Sequence, residues 1–62
     1  MEKEIFYINA QKFFVEHSPA GHLVLFADVS GMEYYIGECL TVSQAKQLAK
    51  IWMGINMNDS NF

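Results

Sequence analysis

Apolar and aromatic residues crowd into short runs along this chain, and polar punctuation divides the runs into five segments. Asn9-Ala10-Gln11 makes a polar break, Ser18-Pro19-Ala20-Gly21 a turn, and Ser30-Gly31 a second turn. The runs between them are rich in aromatic and β-branched residues, which suit a pleated, half-buried surface. They predict strands over Ile5 to Asn9, Lys12 to His17, His22 to Val29 and Met32 to Glu38. Short, even connections between such strands favour an antiparallel meander.

The last segment changes period. Thr41-Val42-Ser43-Gln44 has capping-box spacing: the Thr41 hydroxyl can accept from the Gln44 amide while the Gln44 side chain reaches back. Helix-favouring Ala45, Lys46, Gln47, Leu48, Ala49 and Lys50 follow. Gly54 weakens the end, and Asn56 or Asn58 supplies a stop. The expectation is one compact α+β domain over residues 1–57, with a loose tail over 58–62. Its fold class is a three- to four-stranded antiparallel β-meander with one C-terminal α-helix packed on one face.

Turn geometry then predicts faces. A four-residue loop over Ser18 to Gly21 would set His17 opposite His22, Val15 opposite Val24 and Phe13 opposite Phe26. A two-residue Ser30-Gly31 turn would set Phe26 opposite Tyr35, Leu25 opposite Ile36 and Ala27 opposite Tyr34. Side chains alternate with period two, so each residue falls on one of two faces. The predicted core face carries Phe14, Leu23, Leu25, Ala27, Val29, Met32, Tyr34 and Ile36, with Phe6 and Ile8 from the first strand and Glu16 and Glu38 at its margin. The other face carries Ile5, Tyr7, Phe13, Val15, Val24, Phe26 and Tyr35, mixed with His17, His22, Asp28 and Glu33.

That second face is too apolar for solvent, since a sheet covered on one side should show clean polar alternation on the other. Exposed apolar patches beyond a few hundred Å² usually mark contact sites. Its expected partner-binding residues are Tyr7, Phe13, Val15, Val24, Phe26, Asp28, Glu33 and Tyr35. The helix repeats the surplus. At 100° per residue its apolar side chains span roughly 200°, about twice what a core stripe needs, so Ile51 and Ile55 or Met53 should lie outside the intramolecular contact. Lys46, Lys50, Ser43 and Gln47 hold the polar side.

Size sharpens this. A 62-residue chain buries only about 60% of its unfolded surface and is marginal without disulfides, metal or association. Cys39 is the single cysteine, so no disulfide can form within the chain. A lone thiol, no basic-apolar leader after Met1 and no apolar stretch near 20 residues predict a cytoplasmic protein without a membrane span. Apolar residues are 52% and charged residues 18% of the chain, which argues against disorder. Net charge is −3, and all four basic residues are lysine. Without arginine, the usual bidentate reader of phosphate and guanine, specific nucleic-acid recognition is disfavoured.

Candidate chemistry is thin. His17 and His22, expected neighbours across the hairpin with Glu16 and Cys39 as conceivable further ligands, lack the compact Cys and His spacing of a structural zinc site. Cys39 precedes a helix N-terminus, which lowers a thiol pKa, yet a catalytic cysteine also needs a base and an oxyanion site. Asp28 and Glu33 face each other across the second turn as a solvated pair. No phosphate loop, GxSxG or HExxH occurs. The reading is therefore a non-enzyme with no cofactor, no metal and no small-molecule substrate.

The expected function is a small protein-binding module. It would act as a homodimer, or as an inhibitor or adaptor that occupies a partner protein's surface. A short acidic chain starting at its own methionine resembles, by analogy, the products with which phages and mobile elements block host enzymes. Carboxylates beside aromatics would suit the basic groove of a nucleic-acid enzyme. The alternative is single-stranded nucleic-acid binding, with Tyr7, Phe13, Phe26 and Tyr35 stacking on bases. That platform would have Lys12 as its only central cation, and Asp28 and Glu33 beside it carry the wrong sign.

Overall fold

The computed structural model describes residues 3–56. The tail expected over 58–62, and Asn58 as a helix stop, lie outside the described residues. Four antiparallel strands, β1 (Lys3–Ile8), β2 (Gln11–His17), β3 (Leu23–Val29) and β4 (Met32–Cys39), form one sheet in the order β1-β2-β3-β4. Helix α1 (Val42–Asn56) packs on one face of that sheet. This is the predicted α+β meander. No helix among the described residues is long and apolar enough to cross a membrane.

Each connection has a local cause. β1 and β2 join through Asn9-Ala10, both at positive φ (51° and 70°), and β3 and β4 through Ser30-Gly31 (54° and 83°). Two positive values in a two-residue loop define the hairpin turn whose twist matches that of its strands. In the second of these, Asp28 Oδ1 accepts from the Gly31 amide at 3.2 Å. At the helix start, the Gln44 amide donates to Thr41 Oγ1 at 3.1 Å. The return bond of the capping box goes one residue further back than expected, from the Leu40 amide to Gln44 Oε1 at 2.9 Å.

The β2–β3 hairpin corrects the predicted register. Its loop is three residues long, Pro19-Ala20-Gly21, because Ser18 and His22 pair: the Ser18 amide donates to the His22 carbonyl at 2.8 Å. The Gly21 amide donates to the Ser18 carbonyl at 3.0 Å, and Gly21 takes φ 89°. That is a type I turn closed by a left-handed bulge residue, with Ser, Pro and Gly at the positions each favours. Phe13 therefore pairs with Ala27, Phe14 with Phe26, Val15 with Leu25 and His17 with Leu23. A one-residue slip turns a whole strand over. Phe13 and Val15, expected on the open face, are completely buried beneath the helix, and Phe14 and Glu16, expected on or beside the core, point the other way.

β4 carries the second correction. Phe26 pairs with Tyr35 and Ala27 with Tyr34 as predicted, but Leu25 pairs with Gly37, so Ile36 is an extra, bulged residue. Beyond the bulge Glu38 pairs with Val24 and leaves the core margin for the open face. At Gly37 the helix comes close: a Cβ there would stand 3.2 Å from Leu48 Cδ2. Ala45 and Ala49, both fully buried, give the helix the same close approach from its own side.

The core joins Phe13, Val15, Leu23, Leu25 and Ala27 of the sheet to Ala45 and Ala49, with Val42, Leu48, Trp52 and Met53 packed around them. Phe13 is its centre, stacked on Phe6 at 5.4 Å and meeting Trp52 edge-on at 5.9 Å. The helix starts beside the Cys39 end of β4 and finishes near Ile8 of β1 and Asn9 of the turn after it, where Lys50, Met53 and Gly54 line a shallow groove with them. That diagonal leaves the other corner of β4 bare. Met32 and Tyr34, predicted in the core, are on the helix side but 62% and 46% exposed. Ile51 and Ile55 lie outside the contact, as their place in the helical period requires, and Met53 is half-buried.

Candidate functional site

The sheet face opposite α1 is covered by no other element among the described residues, and register alone organises its side chains into three cross-strand rows. The central row runs Ile5, Phe14, Phe26, Tyr35 across all four strands. On one side of it runs Tyr7, Lys12, Asp28, Glu33, and on the other Lys3, Glu16, Val24, Glu38. An apolar ladder is thus framed by two mostly charged rails.

The ladder is continuous. Phe14 and Phe26 stack with centroids 5.0 Å apart, and Phe26 meets Tyr35 edge-on at 6.1 Å. Such pairs contribute about 0.5–1.5 kcal/mol beyond their buried area. Phe14 is buried although it sits on the open face, because Phe26 lies against one side and the Lys3 ammonium stands 4.5 Å from its ring centroid. Ile5, Tyr7 and Tyr35 stay broadly exposed and Val24 and Phe26 half so. The face is therefore an aromatic floor with exposed residues at both ends.

The rails are only partly neutralised. Lys3 lies 3.7 Å from Glu16 and Lys12 lies 3.7 Å from Asp28, as loose, solvent-accessible pairs worth about 0–1 kcal/mol. Glu33 and Glu38 remain, and two lysines against four carboxylates leave the face at a formal −2. The distribution is lopsided: both lysines belong to β1 and β2, and three of the four carboxylates to β3 and β4.

Of the eight residues predicted to bind a partner, Tyr7, Val24, Phe26, Asp28, Glu33 and Tyr35 share this face, whereas Phe13 and Val15 are core. Prediction missed Lys3, Lys12, Phe14, Glu16 and Glu38 as members of it. The signal for Phe14 and Glu16 was the Ser-Pro-x-Gly turn, whose three-residue loop sets the strand's parity.

The other candidates do not assemble. His17 pairs with Leu23 and His22 with Ser18, so the two histidines are not cross-strand partners; His22 Nδ1 instead lies 3.6 Å from Glu38 Oε1. Among the described residues no three His, Cys, Asp or Glu side chains could hold a metal ion. Cys39 Sγ sits 3.8 Å from the Leu23 carbonyl, and burial pushes its thiol pKa up, the opposite of what a nucleophile needs. Comparison with protein-family models, with curated proteins and with solved structures finds no match to this chain.

Proposed function

We propose that the protein is a non-catalytic binding module that occupies the surface of a protein partner through its open sheet face. One observation carries this: on the face away from the helix, Ile5 and Tyr35 are exposed and Phe26 half so, all in one row with a Phe14 ring already covered by Phe26 and Lys3, while the helix spends its own stripe on the opposite side. Removing such a strip from water is favourable by about 25 cal/mol per Å². Rigid aromatic side chains supply that area at low entropic cost, as they do at the centres of protein interfaces. Action is by occupancy, because the thiol is raised in pKa and the histidines stand apart. Aromatics on a sheet also stack on nucleic-acid bases, but that mode needs a basic groove, and four carboxylates frame this ladder.

The test compares the full chain with Tyr35→Ser, a change at an exposed position that the core does not need. Any protein captured by the full chain is purified and rebound at defined stoichiometry, and self-association is measured in parallel. A protein complex lost in Tyr35→Ser and kept in Lys50→Ser supports the reading. A salt-sensitive complex with a single-stranded 20-nucleotide DNA, lost in Tyr35→Ser, overturns it. So does indifference of every protein complex to Tyr35→Ser.

A further inference from the structure

The geometry points to a second copy of this chain as the occupant of the open face, packed sheet on sheet about a two-fold axis parallel to the strands. The inference rests on the reading of that face as a protein-contact surface and adds the partner and its orientation.

Charge selects the arrangement. A two-fold axis along the strands, midway between β2 and β3, lays β1 of one copy over β4 of the other and keeps each row against itself, reversed. Ile5 then faces Tyr35 of the second copy, and Phe26 comes over the Phe14 position, so the exposed Ile5 and Tyr35 and the half-exposed Phe26 make the apolar contact while Phe14 stays beneath Lys3. On one rail Lys3 faces Glu38; on the other Lys12 faces Asp28, and the Tyr7 hydroxyl faces Glu33. The lysine-bearing half of each face thus covers the acidic half of the other, and Glu33 and Glu38, neither paired with a lysine within one chain among the described residues, each gain a donor, Glu38 in addition to its contact with His22. The other two-fold lying in the interface, across the strands, would exchange the rails and set Glu33 over Glu38. Like charges so placed are repelled.

Size sets the strength. Four strands about 4.8 Å apart and three rows about 7 Å apart make a patch on the order of 400 Å² per copy. The two copies together bury on the order of 1,000 Å² once the relief of the side chains is counted, the lower limit for a specific interface. The expected dimer is weak and reversible, with a dissociation constant on the order of tens of micromolar. Sheets packed in this aligned way sit about 10 Å apart, close enough for the two ladders to interdigitate.

Sedimentation equilibrium from about 10 μM to about 1 mM tests it, with circular dichroism confirming that each variant folds. The full chain shifts from monomer to dimer across this range, and Tyr35→Ser weakens the dimer at least tenfold. Lys3→Glu and Glu38→Lys, each alone, set like charges against each other and weaken it about tenfold. Mixing those two variants restores association as a heterodimer, because each now presents the charge the other needs. A monomer at 1 mM overturns the inference, as does a dimer indifferent to Tyr35→Ser or a mixture no tighter than its components. A monomer that still binds a different protein through Tyr35 overturns this inference and leaves the proposed function standing.

Discussion

Replacing Phe13 by alanine tests which side of β2 meets the helix. Phe13 is fully buried, stacks on Phe6 and meets Trp52 in a T-shaped contact at 5.9 Å. Truncating a buried phenylalanine costs about 3–5 kcal/mol, from lost transfer energy plus the cavity left behind. A domain of this length has about 3–9 kcal/mol in total. Phe13→Ala should therefore leave the chain barely folded or unfolded. Val15→Ala is the graded companion: two buried methyl groups at about 0.8 kcal/mol each, plus a small cavity, give about 2 kcal/mol. Tyr35→Ser, at a 62% exposed position, should cost no more than about 0.5–1 kcal/mol. Urea unfolding followed by circular dichroism supplies the free energies. Trp52, the single tryptophan, reports helix docking through its emission. Phe13→Ala that costs less than about 1 kcal/mol, or that leaves Trp52 emission unchanged, would refute the register on which the open face is built.

Four further outcomes follow from local geometry. Ala10 holds φ 70° in the first hairpin, a conformation costing a residue with a Cβ about 1–2 kcal/mol, so Ala10→Gly should raise the thermal midpoint by a few degrees, read by calorimetry. Gly21→Ala should lower stability by about 1 kcal/mol through strain alone, since nothing stands within 4 Å of the added Cβ. Thr41→Ala removes the acceptor for the Gln44 amide and should cost about 1 kcal/mol in urea. Cys39 should react with an alkylating thiol reagent near pH 8 several-fold more slowly in the folded chain than after unfolding. Its raised pKa also has a stability sign: the folded state holds the thiol proton more tightly, so that contribution is present below the ordinary thiol range and fades as pH rises through the folded value.

Much of the architecture is readable locally. The helix is encoded by its cap at Thr41 and Gln44 and by the run of helix formers after it, none of which depends on distant residues. The Ser30-Gly31 hairpin is equally local, and it sets Phe26 beside Tyr35 and Ala27 beside Tyr34. β2 resisted the same treatment. Adjacent Phe13 and Phe14, both large and apolar, make its two faces look alike, so period-two alternation assigns the strand two sets of residues without saying which set is inside. The parity of one loop breaks that tie, and a change from four residues to three exchanged the core and the contact surface.

By itself, then, the order of residues determined the elements, their antiparallel sequence and the surplus of apolar surface, because capping, turn chemistry and periodicity act over a few neighbours. The Ser-Pro-x-Gly loop set the parity of β2, and with it which of its aromatics line the core. Tertiary structure alone decided how far each face is covered, through the extra residue Ile36 and the diagonal path of a helix admitted by Gly37, Ala45 and Ala49. Coverage is a property of strands and helices placed against each other, and no single segment carries it.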